Sequence, residues 1–417
     1  MVTTTLDAEW SSRHGLPVGQ YQSHLIGPRY VGLALGSFDL LTGFLDDVST
    51  VRIVHVFKDA HPPIPAGITR YISDLAAASV ARGSEVDVFV AGVKRTRIDE
   101  RPDGVRIHRF SESARLLSMP LSMKLVTAAQ SVRADIVHLH LPNPVGELGA
   151  IANRGSHGLV LSFHAQLGKQ RMLGPLYGPF QELLVRRADR VLASSQMLMA
   201  APELAGAGDR LRFAPYGVSP RMVLPAASIE RSTGSTMRVL FVGRLVYYKG
   251  IEVLFDAVSA MDDVRLTVLG DGDLRPALIE RLSSDSRLAQ KVTMRHDADD
   301  DEVLQAHLDH DVVVLPSVSR AEAFGLSMAE AMANGLPAIS TALGTGTDWV
   351  NLQNRTGLVV PPGDAVALRD AIERMRAPAL RARLASGALV RARTAFCFET
   401  HADKVHGWYE EAVANAA

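Results

Sequence analysis

The chain alternates short, uninterrupted apolar runs with longer stretches whose apolar residues recur at helical spacing. Val51–Phe57 is the first such run, followed by a polar loop through Gly67, a helical pattern from Ile68 to Arg82 that closes at Gly83, and a second run at Glu85–Val90. Apolar runs without polar alternation predict strands buried on both faces, the situation of parallel strands covered by helices. Ala134–Leu141, Leu159–His164 and Asp189–Ser195 continue the series, and Phe213–Val218 closes it. Ser219–Met237, rich in Pro, Ser, Thr and Gly and without apolar period, predicts a linker. Alternation then resumes with a strand at Arg238–Gly243, a helix at Ile251–Met261, strands at Arg265–Gly270 and Asp311–Leu315, and a helix from Leu326 to Asn334 stopped by Gly335-Leu336-Pro337. This predicts an α/β protein of two Rossmann-like, doubly wound parallel-sheet domains facing each other across a cleft. The expected boundaries are an N-terminal extension (1–50), a first domain (51–218), the linker (219–237), a second domain (238–395) and a C-terminal helix (396–417). Phe398, Val405, Trp408 and Tyr409 give that last helix an apolar stripe that predicts a return to the first domain.

Composition sharpens this reading. A length of 417 residues suits two cores rather than one. The single cysteine, Cys397, leaves no intramolecular disulfide and fits a reducing cytoplasm, with the thiol read as packed rather than nucleophilic. The net charge of −1 hides an asymmetry, because residues 51–215 carry 21 Lys and Arg against 14 Asp and Glu. The first lobe is therefore the one expected to meet anionic partners; nothing in the pattern points to nucleic acid. Met1–Gly15 lacks the charged start and apolar run of a secretory signal. Tyr30–Leu45 is apolar but too short to span a bilayer, and Asp39, Asp46 and Asp47 interrupt or bound it. It reads as an amphipathic helix on the first domain, with peripheral membrane contact as the other reading.

Candidate chemistry gathers at strand ends. Glu322 falls on the loop after Asp311–Leu315, and Glu330 about two turns into the following helix, whose first N–H groups are free to meet an anion. Carboxylates flanking such a terminus suit a ligand with an anionic middle and hydroxyl-rich ends, a nucleotide sugar; two solvated helix-end acids are the plainer reading. Arg244 and Lys249, on the loop after Arg238–Gly243, form a basic pair able to hold a diphosphate. Gly67 allows close approach before the first helix, but the three spaced glycines of a dinucleotide fingerprint are missing. His140 and His164 at strand ends are expected to line the crevice, with a buried structural role the alternative for His138 and His140. A metal site is not expected, since no carboxylate or thiol completes a ligand set. The Asp299-Asp300-Asp301 run is read as a solvated helix start. His140, Asn143 and the loop residues Lys169, Arg171 and Tyr177 are assigned to an acceptor.

Taken together, the Glu322-to-Glu330 stretch resembles the E-x7-E signature of the retaining glycosyltransferases of family 4. Ile339–Thr347 and Gly357–Asp364 are similar to that family too, and Gly243-Arg244 with Lys249-Gly250 resembles its G-R-x4-K-G element. Ala66 replaces one of a usual glycine pair, and His296 stands where glycine is common. The resemblance implies a GT-B fold and transfer of a hexose, with retention, from a nucleoside diphosphate sugar to an acceptor hydroxyl. It implies catalytic roles for His164, Arg244, Lys249 and Glu322, and a donor site of Gly67, Gly243, Arg244, Lys249, Arg295, Glu322, Ala323, Phe324, Gly325, Leu326 and Glu330. In that scheme Glu330 takes the ribose hydroxyls, Arg244 and Lys249 neutralise the leaving diphosphate, and neither cofactor nor metal is required. The acceptor is left open among glycans, lipid-linked sugars and small natural products, and the base among uracil, guanine and thymine. A non-catalytic nucleotide-sugar-binding subunit and a GT-B epimerase or phosphorylase are the rival functions.

Overall fold

The structure, a computed structural model, describes residues 50–61, 67–116, 119–153, 155–164, 174–225 and 235–416. The apolar segment Tyr30–Leu45 and the acceptor candidates Lys169 and Arg171 lie outside the described residues, as does the side chain of Tyr177.

Among the described residues the main sheet of the first lobe has eight strands: β1 (Arg52–Val56), β2 (Glu85–Val93), β3 (Arg97–Glu100), β4 (Arg106–Ser111), β5 (Ile136–Leu141), β6 (Gly158–Phe163), β7 (Arg190–Ala193) and β8 (Leu211–Phe213). They lie in the order β8-β7-β6-β5-β1-β2-β4-β3, parallel except where β3 pairs antiparallel with β4. The second lobe has six parallel strands, β9 (Met237–Val242), β10 (Val264–Leu269), β11 (Val292–Arg295), β12 (Val312–Leu315), β13 (Ala338–Thr341) and β14 (Gly357–Val360), in the order β11-β10-β9-β12-β13-β14. β1 and β5 to β7 are buried almost throughout, as their unbroken apolar runs require.

In each sheet the chain first builds outward on one side and then crosses to the other. Such a switch point leaves the loops after two adjacent strands splayed apart, and ligands of open α/β sheets bind there. In the second lobe it falls between β9 and β12, so the loop carrying Arg244 and Lys249 is set beside the one carrying Glu322.

Four helices matter for the site: α1 (Gly67–Ala81), α2 (Asp300–Asp309), α3 (Leu326–Ala333) and α4 (Phe398–Ala416). α4 packs on β5, β6 and α1, where Phe398, Val405 and Tyr409 are buried and Arg190 pairs with Glu411 at 2.7 Å. Cys397, just before it, is half-buried.

Three local features refine this architecture. Between β2 and β5, β3 and β4 form from a charged, weakly apolar stretch whose signal is the pairing itself. The Gly174-Pro175 and Gly178-Pro179 pairs, turn signals in the sequence, lie within a helix spanning Gly174–Arg187. Pro175 costs little in a first helical turn, where its missing N–H would be unpaired anyway. The described start of the linker is anchored to the second lobe, with Asn334 accepting from the Leu224 N–H at 2.8 Å and donating to the Met222 carbonyl at 2.8 Å.

Candidate donor site at the switch point

The two loops at the β9/β12 switch point are bound to each other. Val318 N–H donates to the Tyr248 carbonyl at 2.8 Å. Gly250 sits at φ 66°, where a Cβ would lie 2.1 Å from the Pro316 carbonyl oxygen, so only glycine permits this approach. The fit presents Lys249 to Glu322: Nζ is 2.5 Å from Oε2, both side chains are about nine-tenths buried, and Ser317 Oγ–H donates to the same carboxylate oxygen at 3.1 Å. Arg244 is exposed, donates to Tyr248 Oη at 3.2 Å, and counters the burial that raises the Asp59 carboxyl of the first lobe.

Gly325, at φ 84°, turns the chain from this loop into α3. Phe324 is buried and meets Tyr216 of the first lobe edge-on at 4.9 Å. A Cβ on Gly67 would stand 3.3 Å from Leu326 Cδ2, so the first turns of α1 and α3 abut across the cleft.

Glu330 lies deeper in α3, 5% exposed. Burial pushes its carboxyl up to about 7; Arg70 opposes the shift, while Asp300 and Asp74 add to it. Arg70 belongs to α1 and reaches Asp300 at 2.5 Å and Glu330 at 3.6 Å. Asp300 is thus not simply part of a solvated helix start, though Asp299 does cap α2 through a capping box with Glu302. Sequence reasoning missed Arg70; its place one turn after Gly67 was the available signal.

Arg295 pairs with Glu302 at 2.6 Å and, with Gly270, Arg275, Ile279, Met294 and His296, borders a cavity of about 380 Å³. The cavity adjoins the Arg244–Lys249 loop, because a Cβ on Gly270 would fall 2.0 Å from the Gly243 oxygen.

The first-lobe histidines depart from expectation. His55 Nδ1 and His140 Nε2 are 3.0 Å apart, His140 Nδ1 and His164 Nε2 2.9 Å, and His164 Nδ1 bonds Tyr216 Oη. His138 contacts Tyr409 Oη at 2.6 Å and Ser162 Oγ at 2.7 Å. All are buried, which holds His55 and His164 down at about 3 and His138 and His140 well below the usual imidazole range. His140 is therefore core rather than a cleft-lining donor, and both ring nitrogens of His164 are occupied. The register decides this, since β5 pairs with β1 so that His138 faces His55 on one covered side of the sheet. Among the described residues, His55, His138 and His140 are the one group whose ligating atoms lie within 4.8 Å of each other. No carboxylate or thiol joins them, and each shares its ring nitrogens in hydrogen bonds, His55 Nε2 excepted. Asn143, also assigned to an acceptor, is 1% exposed and instead caps the helix Pro144–Ala152, accepting from Gly146 N–H.

Comparison with known proteins accords with this geometry. Residues 66–217 match the family model "Glycosyl transferase 4-like domain" and residues 236–377 the model "Glycosyl transferases group 1". The O-antigen chain mannosyltransferase C of Escherichia coli is 29% identical over 334 residues, 78% of this chain and 88% of that one. The D-rhamnosyltransferase WbpZ of Pseudomonas aeruginosa is 28% identical over 334 residues, 77% and 86% of the two chains. Among solved structures, the sucrose-phosphate synthase of Thermosynechococcus elongatus superimposes with a TM-score of 0.73 at 22% identity, over 88% of this chain and all of that one. Anabaena HepE in complex with UDP and glucose gives 0.67 at 19% identity, over 86% and 98%. With both lobes matched in order and the two-sheet architecture shared, the chain belongs to the GT-B glycosyltransferases that join a glycosyltransferase 4-like domain to a group 1 domain.

Proposed function

We propose that the protein is a retaining hexosyltransferase that uses a nucleoside diphosphate sugar and extends a bacterial surface-type glycan. The observation that carries the reading is the buried Lys249–Glu322 pair beside the abutting first turns of α1 and α3. Lys249, exposed Arg244 and the N–H groups at the start of α3 form a fixed positive field for a departing diphosphate, which stabilises charge as it grows in the transition state. Glu322 is placed to accept from sugar hydroxyls, Glu330 from the ribose, and the cavity beside Arg295 to take the base. The positive charge comes from the chain itself, so turnover is expected to need no metal. The glycan acceptor rests on the O-antigen mannosyltransferase and D-rhamnosyltransferase relatives, and the basic first lobe suits an acceptor at an anionic membrane surface.

A non-catalytic binding subunit is favoured only by the occupied ring of His164; Gly67 and Glu322 both stand at the cleft. One assay separates the readings. The protein is incubated with GDP-, UDP- and dTDP-hexoses and glycan or lipid-linked acceptors, with and without EDTA, and the product's anomeric configuration is read by NMR. Retained configuration with turnover unaffected by EDTA is the expected result. An inverted product overturns the retaining mechanism, loss of turnover restored by magnesium overturns the metal-free one, and donor binding without product would favour the binding subunit.

A further inference from the structure

Arg70 is given no role in the proposed function, yet it is the group that joins the first lobe to the Glu330 carboxylate of the second. Its Nη2 lies 2.5 Å from Asp300 Oδ1 and its Nη1 3.6 Å from Glu330 Oε1, while its Nε is buried without a hydrogen-bond partner. The charged groups facing Glu330 are Arg70 and Asp74 from α1 and Asp300 from α2. Asp74 in turn feels Arg221 and Arg101. On the neutral side, Asn334 donates to the Glu330 carbonyl at 3.1 Å and contacts His307. A buried carboxylate thus has two acids and one cation about it, and that cation comes from the opposite lobe. A lone buried acid in such company takes up a proton.

We propose that Arg70 is a positioning residue of the donor site: reaching across from α1, it favours the charged form of the Glu330 carboxylate and aims it for the ribose hydroxyls, so that nucleotide affinity in the second lobe depends on a side chain of the first. This rests on the ribose role of Glu330.

The test is calorimetric titration of the full chain with GDP and UDP from pH 5.5 to 9. Removing the cation raises the Glu330 carboxyl further, so the acid limb of affinity should move to higher pH in Arg70→Gln. A shift of about one pH unit would weaken binding about five-fold at pH 7 and leave it near wild type at pH 9. Arg70→Lys should restore much of the loss. Asp300→Asn, which removes a like charge, should move the limb the opposite way and decides the matter if Arg70→Gln does not fold. A wild-type pH profile in Arg70→Gln, or equal weakening at every pH, overturns the proposal. Glu330→Gln tests the underlying reading separately: unchanged nucleotide affinity in that variant removes Glu330 from the donor site whatever Arg70→Gln does.

Discussion

Lys249 Nζ and Glu322 Oε2 meet at 2.5 Å although they sit on loops that follow different strands, because β9 and β12 are neighbours at the switch point of the second sheet. The contact has two consequences. It holds the lysine taut beside the start of α3, and it leaves Glu322 a buried charge that depends on that lysine. Arg244, from the same loop, is exposed and free of such a debt.

The two cations should therefore separate on substitution. Arg244→Ala and Lys249→Ala are each expected to lower turnover about 100- to 1,000-fold, the usual effect of losing one well-aimed electrostatic donor. Only Lys249→Ala should also lose stability, by about 3 kcal/mol, since it strands a buried carboxylate. Urea denaturation beside the activity assay checks this; equal stability of the two variants would mean that Glu322 is not held by Lys249.

Gly325 holds the entry to α3 at φ 84°, and a Cβ there would lie 2.8 Å from Leu315 Cδ2. Gly325→Ala is expected to destabilise by about 1–3 kcal/mol and to weaken donor binding as well, because the helix terminus shifts with the turn. Thermal melts with and without nucleoside diphosphate measure both effects. Wild-type behaviour would show that the turn tolerates a side chain.

Buried neutral histidines make the fold acid-labile. His55 and His164 are held at about 3, His401 at about 4, and His138 and His140 well below the usual range, all by burial. Their folded values lie below the unfolded one near 6.5, so the unfolded chain binds more protons and stability falls as pH drops below that value. Each contributes up to about 1.4 kcal/mol per pH unit between roughly pH 6 and 4. Urea midpoints across that window should fall steeply, and less steeply in His140→Gln; a flat profile would contradict neutral burial.

If the acceptor sits at a membrane surface, the basic excess of the first lobe should bring the protein to anionic vesicles. Sedimentation with phosphatidylglycerol vesicles is expected to show binding at about 20 mM salt that is largely lost at about 500 mM, where the screening length falls below that of physiological salt. Absence of salt-sensitive binding would turn the acceptor toward a small diffusible molecule.

The sequence by itself determined the alternation of buried strands and helices, the two-lobed α/β class, and the local units that carry chemistry: the Glu322 loop leading into the Glu330 helix, and Gly243-Arg244 with Lys249-Gly250. These are legible because apolar period, glycine and helix termination act over a few residues. Only the tertiary structure decided who meets whom. Arg70 with Asp300 and Glu330, Lys249 with Glu322, and the His55–His140–His164 chain join segments brought together by strand order and register, which no local pattern encodes. The histidines mark the limit most clearly. A histidine near a strand end has the same local sequence whether it opens on a cleft or lies under a helix. Here the return of α4 across β5 and β6 covered that side of the sheet, and burial made His140 part of the core.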